Sequence, residues 1–171
     1  TKDDDLVLEA ARATIPQLRA ALDAHATERF SVVHFGCHGL VDRRHPARSV
    51  LALTPDAGDD GLLDASEIFR LRLRADLVVL SACDTAADRH DSGEGLSGLV
   101  RAFFFAGTPR VIASLWKVND DGAPNVMGEY YRRFHAGVGA AESLRHAQVR
   151  ARDRNPADRS WVSWVAWGLS R

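Results

Sequence analysis

Short continuous apolar runs alternate along this chain with longer segments whose apolar residues recur at helical spacing. Phe30–Phe35 (FSVVHF), Asp76–Leu80 (DLVVL) and Arg110–Leu115 (RVIASL) are the runs, and the last two have the pattern of strands buried on both faces of a parallel sheet. Val50–Leu53 and Gly61–Leu63 flank a Pro/Gly/Asp cluster at Pro55–Asp60 and read as a short hairpin. Trp161–Leu169 reads as a last, aromatic strand. The first helix is predicted to open near Thr14, where Thr14-Ile15-Pro16-Gln17 has the form of a capping box with proline in the first turn. Ile15, Leu18, Ala21 and Leu22 then share one face. Asp64-Ala65-Ser66-Glu67 is a second capping box, opening a brief helix through Leu71. An apolar helix runs from Leu96 to Ala106 and stops at Gly107. Pro124–His135 and Ala140–Arg152 are amphipathic helices separated by Gly137 and Gly139.

This alternation predicts an α/β fold: an open, mostly parallel sheet with helices on both faces. Sites in such sheets lie beyond the carboxyl ends of the strands. His38 (in the loop Gly36-Cys37-His38-Gly39), Cys83 and Trp116 all fall at such ends.

Composition narrows the class. A chain of 171 residues, 46% hydrophobic and 26% charged, suits one globular domain. A formal net charge of −1 offers no general surface for nucleic acid or an anionic membrane. No apolar run approaches the roughly 20 residues of a membrane span, and the polar, acidic start has no signal-peptide pattern. Two cysteines make no disulfide framework, so a reducing, cytoplasmic setting is expected. There is no initiator Met, and the chain is expected to be the C-terminal part of a longer protein.

A cysteine becomes a nucleophile when a neighbouring histidine takes its proton or stabilises its thiolate. Cys83, after a buried strand and before a polar loop, is the candidate nucleophile, and His38 the candidate base. The backbone N–H groups of Gly39 and of Cys83 itself are the natural donors to an oxyanion. Spacing alone leaves the plainer reading open: a lone Cys at a strand end is most often a small buried hydrophobe, and a His at a strand–loop junction is often structural. His34, Cys37 and His38 have neither a CxxC pair nor a carboxylate complement, so no metal site and no cofactor are expected. Gly93-Glu94-Gly95 precedes a helix, but it is not a Walker motif and Glu94 would repel a phosphate. Gly95-Leu96-Ser97-Gly98 lacks the spacing and context of a nucleophile elbow. The arginines from Arg145 to Arg154 read as a solvated face.

Several segments, in order, resemble the CHAT family, bacterial caspase-related domains often found after tetratricopeptide repeats. They are VVHFGCHGL (Val32–Leu40), DGLLDASEIFRLRL (Asp60–Leu73), DLVVLSACDTA (Asp76–Ala86), GEGLSGLVRAFFFAGTPRVIASLWKVND (Gly93–Asp120), SLRHAQ (Ser143–Gln148) and WVSWVAWG (Trp161–Gly168). The resemblance implies a single caspase-like peptidase domain over 1–171, folded as a three-layer sandwich. It implies a cysteine endopeptidase in which the His-Gly pair is His38-Gly39 and the Ser-Ala-Cys is Ser81-Ala82-Cys83, acting through a thioester. It also places Ser114-Leu115-Trp116 along the substrate groove.

Three departures from the family pattern stand out. Cys37 puts a second thiol beside His38 and is expected to be inert. The last strand is unusually rich in tryptophan. Nothing in Thr1–Ala13 reads as the strand that caspase-like sheets carry before their first helix, so the sheet is expected to lack it. Asp84, Glu94, Asp120 and Asp121 cluster near the strand ends, which favours a basic residue on the acyl side of the cleaved bond. The expected partners are a protein substrate and a regulatory N-terminal module, such as tetratricopeptide repeats, or a separate activator. No nucleic acid and no membrane are expected. The alternative is a latent or non-catalytic caspase-like signalling module, whose loops Val41–Arg48 and Thr85–Glu94 an effector would order.

Overall fold

The computed structural model describes residues 6–42, 44–81, 94–116, 118 and 122–169. In chain order the elements are α1 (Ile15–Ala24), β1 (Val33–Phe35), β2 (His38–Leu40), β3 (Val50–Ala52), β4 (Leu62–Asp64), α2 (Ala65–Arg70), β5 (Val78–Leu80), α3 (Glu94–Phe105), β6 (Arg110–Ser114), α4 (Gly122–Phe134), α5 (Ala140–Arg154) and β7 (Trp164–Gly168). Single 3-10 turns add Ala10–Arg12, Pro46–Arg48 and Arg159–Ser163.

Both predicted helix starts are present. The Thr14 hydroxyl accepts the N–H of Gln17 at 3.3 Å. At α2 the box is reciprocal: Asp64 accepts the Glu67 N–H at 2.7 Å, and Glu67 accepts the Asp64 N–H at 3.2 Å. Such side chains satisfy N–H groups that the first turn leaves without intrahelical partners. The Gly107 stop is also present, at φ +108, a conformation costly for any residue with a Cβ.

The main sheet has the order β1-β5-β6-β7. β1–β5 and β5–β6 pair in parallel, whereas β7 runs antiparallel to β6. The fold is therefore α/β with a mostly parallel sheet, and side-chain alternation sorts its residues onto two faces. Phe35, Val78, Leu80, Val111 and Ala113 meet α1, α2 and α3 in one core. Leu77, Val79, Ile112 and Trp164 meet α4 and α5 in the other. Outside the second core, Arg132 and Arg133 lie across the Glu129 carboxylate, with Arg150 3.7 Å away. Their side chains, rather than apolar depth, shelter Glu129 from water. Their hydrogen bonds and charge hold its carboxyl down at about 2.

Two sequence expectations change at the start of the sheet. Regular pairing of the Phe30–Phe35 run covers only Val33–Phe35, although Phe30 bridges Ala75 in parallel. The predicted loop at Gly36–Gly39 is instead half strand, because His38–Leu40 pairs antiparallel with Val50–Ala52. β2, β3 and β4 thus form a second, three-stranded antiparallel sheet. The predicted hairpin supplies its other two strands. At the opposite end of the chain, only the second half of Trp161–Leu169 is strand. The first half turns as a 3-10 helix because Asp158 accepts the Ser160 N–H at 2.9 Å. Among the described residues up to Ala13 there is one 3-10 turn and no strand, and β1 is an edge of the main sheet.

Candidate active site at the carboxyl edge

The parallel strands end level. Phe35 of β1 stands opposite Leu80 of β5, and Leu80 opposite Ala113 of β6. The Ser81 N–H extends the first ladder by donating to the Phe35 carbonyl at 2.9 Å. β7 enters at the same edge, with Trp164 opposite Ser114. In the sequence, His38 follows Phe35 by three positions and Cys83 follows Leu80, the residue paired with Phe35, by three. Cys83, Asp84, Asp120 and Asp121 lie outside the described residues, as does the side chain of Glu94.

The small sheet holds His38 by its backbone. Leu53 donates to Gly61 at 2.7 Å and Ala65 donates to Ser49 at 3.0 Å, so alternate residues of β3, including Leu51, turn their backbone groups towards β4. Val50 and Ala52 then turn theirs towards β2, where their partners are Leu40 and His38. The same alternation points the N–H and C=O of Gly39 away from β3, off the edge of the sheet. Side chains alternate too: Gly39, Leu51 and Leu63 face the core, while His38 and Leu40 are exposed. A histidine presented to solvent thus stands beside a main-chain N–H that the β3 ladder does not use.

The segment after β2 is clamped as well. The Asp42 carboxylate accepts the N–H groups of Arg44 and His45 at 2.9 and 2.8 Å. The 3-10 turn at Pro46 then lies against Gly98 of α3, where a Cβ would stand 2.1 Å from the Pro46 carbonyl oxygen. Only glycine permits that approach. This gives Gly98 a packing role that its sequence context did not reveal.

The other two imidazole and thiol groups of the segment are differently placed. Cys37 is half-buried against the first core, and desolvation pushes its thiol up to about 11. It therefore stays protonated and poorly nucleophilic at neutral pH. His34 lies within β1, its Nδ1 2.8 Å from the Tyr131 hydroxyl. Neighbouring apolar groups lower its pKa, although the residue as a whole remains exposed. Among the described residues, no three His, Cys, Asp or Glu side chains gather as a metal would require.

On the far side, Ser114 is buried as the last residue of β6, and Trp116 is exposed two positions later. The Leu115 N–H donates to the Ser163 carbonyl at 2.8 Å. That turn is fixed by Gln148 of α5, whose amide donates to the carbonyls of Trp161 and Trp164 at 2.9 and 2.8 Å. Gln148 was visible only as part of SLRHAQ. No local signal shows that a helical amide will reach two carbonyls more than a dozen residues later.

The family model described as the CHAT domain matches residues 5–170. Tetratricopeptide repeat protein 28 of Mus musculus is 36% identical over 86 residues, a match covering 50% of this chain and 4% of that protein. The chain thus spans a small fraction of this relative. No helix among the described residues is long and apolar enough to cross a membrane.

Proposed function

Because the chain belongs to the CHAT domain family, we propose that it is a caspase-like cysteine endopeptidase domain using Cys83 as nucleophile and His38 as base. The observation that carries this reading is the parallel pairing of β1 with β5, Phe35 opposite Leu80, with Ser81 bonded back to Phe35. Cys83 follows Ser81 by two residues in the sequence, which supports this reading.

In the proposed reaction His38 takes the Cys83 thiol proton and the thiolate attacks the peptide carbonyl carbon. The N–H groups of Gly39 and Cys83 bind the oxyanion; the outward direction of the Gly39 N–H supports its part. Collapse of the tetrahedral adduct breaks the C–N bond, and His38 returns the proton to the departing amine. Water, deprotonated by His38, then cleaves the thioester and releases the carboxylate and free thiol. Trp116 flanks the bound peptide, Asp84 and Asp120 shape the groove, and Ser114, buried at the end of β6, supports it from beneath. The acids of these loops favour a basic residue on the acyl side.

The domain works in the cytoplasm as part of a longer protein, under a regulatory module. The tetratricopeptide repeats in the name of the mouse relative support a repeat module in that role. The test compares full-length wild-type and Cys83→Ala protein on candidate protein substrates, with cleavage sites mapped. Loss of all cleavage in the variant is expected; undiminished cleavage would sink the dyad. Failure of thiol probes to label Cys83, even with the activating partner present, would favour a signalling scaffold. Matched Arg-directed and Asp-directed covalent probes test specificity, and preferential labelling by the Asp probe would overturn the basic preference.

A further inference from the structure

The opposite edge of the main sheet carries a second feature, independent of the proposed dyad. α2 and α3 both end there, next to the amino ends of β5 and β6. Phe69 of α2 is 51% exposed and Phe105 of α3 is 69% exposed, and their rings lie 4.9 Å apart between centroids. Phe104, next to Phe105, is 36% exposed and its ring packs by Gly168. Leu169, 65% exposed, donates its N–H to the Pro109 carbonyl just beyond the α3 terminus. The Phe69–Phe105 pair, Phe104 and Leu169 thus all belong to segments that meet at or beside the turn Ala106–Pro109. Single exposed apolar residues are ordinary, but two exposed rings in contact, with further exposed apolar residues at the same edge, mark an interaction surface.

The rim is cationic. Arg101 lies one turn before Phe105 on the same face of α3. Leu73 donates to the Ala106 carbonyl at 2.9 Å, which places the exposed Arg72 beside the end of α3. Arg70 follows Phe69 directly. The nearest α2 carboxylate, Glu67, is already bound to Arg19 at 2.7 Å. We propose that this edge is a docking surface for an acidic protein segment that inserts apolar side chains between Phe69, Phe104, Phe105 and Leu169. Carboxylates of the same segment pair with Arg72 and Arg101, whose planar forks suit carboxylate recognition. The two phenyl rings brace each other as a fixed platform, which suits a shaped peptide better than the fluid interior of a bilayer. Docking here leaves the carboxyl edge open, so a partner can be held while the site at the other edge works.

The test uses the whole chain and a fluorescent amphipathic helical peptide with Leu and Phe on one face and Glu on the other. A second peptide carries Lys in place of every Glu. The acidic peptide is expected to bind about tenfold or more tightly than the basic one, and Phe69→Ser with Phe105→Ser to cost at least about tenfold. Because both rings are exposed, the variant should melt like the wild type. Arg72→Glu with Arg101→Glu provides a second route and should invert the peptide preference. Equal binding of both peptides, or binding untouched by either double variant, would overturn the proposal. So would preferential binding to phosphatidylserine vesicles, or a dimer in sedimentation that the Phe variant dissociates. Cys83→Ala should bind the acidic peptide as wild type does, so failure of catalysis and failure of docking are separately visible.

Discussion

The two sides of the carboxyl edge are held by different means. After β1 the chain enters a ladder, and the backbone of His38 pairs with Ala52. After β6 the chain leaves its strand, and among the described residues Leu115 is tied by a main-chain hydrogen bond to a turn that the Gln148 side chain secures. Main-chain pairing needs no particular side chain and fixes position tightly, whereas a side-chain brace fails with a single substitution. On the proposed function, the first arrangement would suit a base that holds its geometry through proton transfer, and the second a surface that adapts to different peptides.

This contrast ranks the expected effects. On the proposed dyad, His38→Ala should lower kcat/KM by about 10³-fold or more, near the upper range of acid–base contributions. On the same proposal, Trp116→Ala should cost about tenfold or less and act mainly on KM, since it would remove binding rather than chemistry. Steady-state kinetics on one mapped substrate check both, and equal losses would erase the distinction.

Gly98→Ala attacks the His38 side from behind. Its new Cβ meets backbone rather than a flexible side chain, so a loss of about 2–3 kcal/mol is expected in denaturant unfolding. Gln148→Ala attacks the other side by leaving two carbonyls without their donor, for about 1–3 kcal/mol. Hydrogen exchange at Leu115 should rise in this variant while exchange along β2 stays as in wild type; parallel increases would show that the two sides are one cooperative unit.

A further expected effect is a pH dependence away from the edge. The Glu129 carboxyl is depressed from an ordinary 4.5 to about 2, so the folded state favours its ionised form. Its contribution to stability is full above about pH 4.5 and is lost as pH falls through about 2. In Glu129→Gln that part of the acid sensitivity should vanish, giving a shallower fall in stability over this window. An unchanged slope would mean that the arginines around it give it no special stability.

Much of this was readable in the residues. The buried runs at Asp76–Leu80 and Arg110–Leu115, both helix caps and the Gly107 stop depend on local pattern and backbone sterics, which need no knowledge of distant chain. The ordered motifs indicated the family, and the strand-end rule directed attention to His38, Cys83 and Trp116. What local pattern could not supply was the partner of each segment. His38–Leu40 has no strand signature of its own and becomes a strand because Val50–Ala52 is there to pair with it. The outward direction of the Gly39 N–H follows from ladder parity across three strands, beginning at the Leu53–Gly61 bond. Gly98, Gln148 and the Phe69–Phe105 pair matter through approaches between residues far apart in sequence. The residue types and the family were set by the chain alone; which donor points outward, which glycine must lack a Cβ and which aromatic rings remain uncovered were decided only when distant segments met.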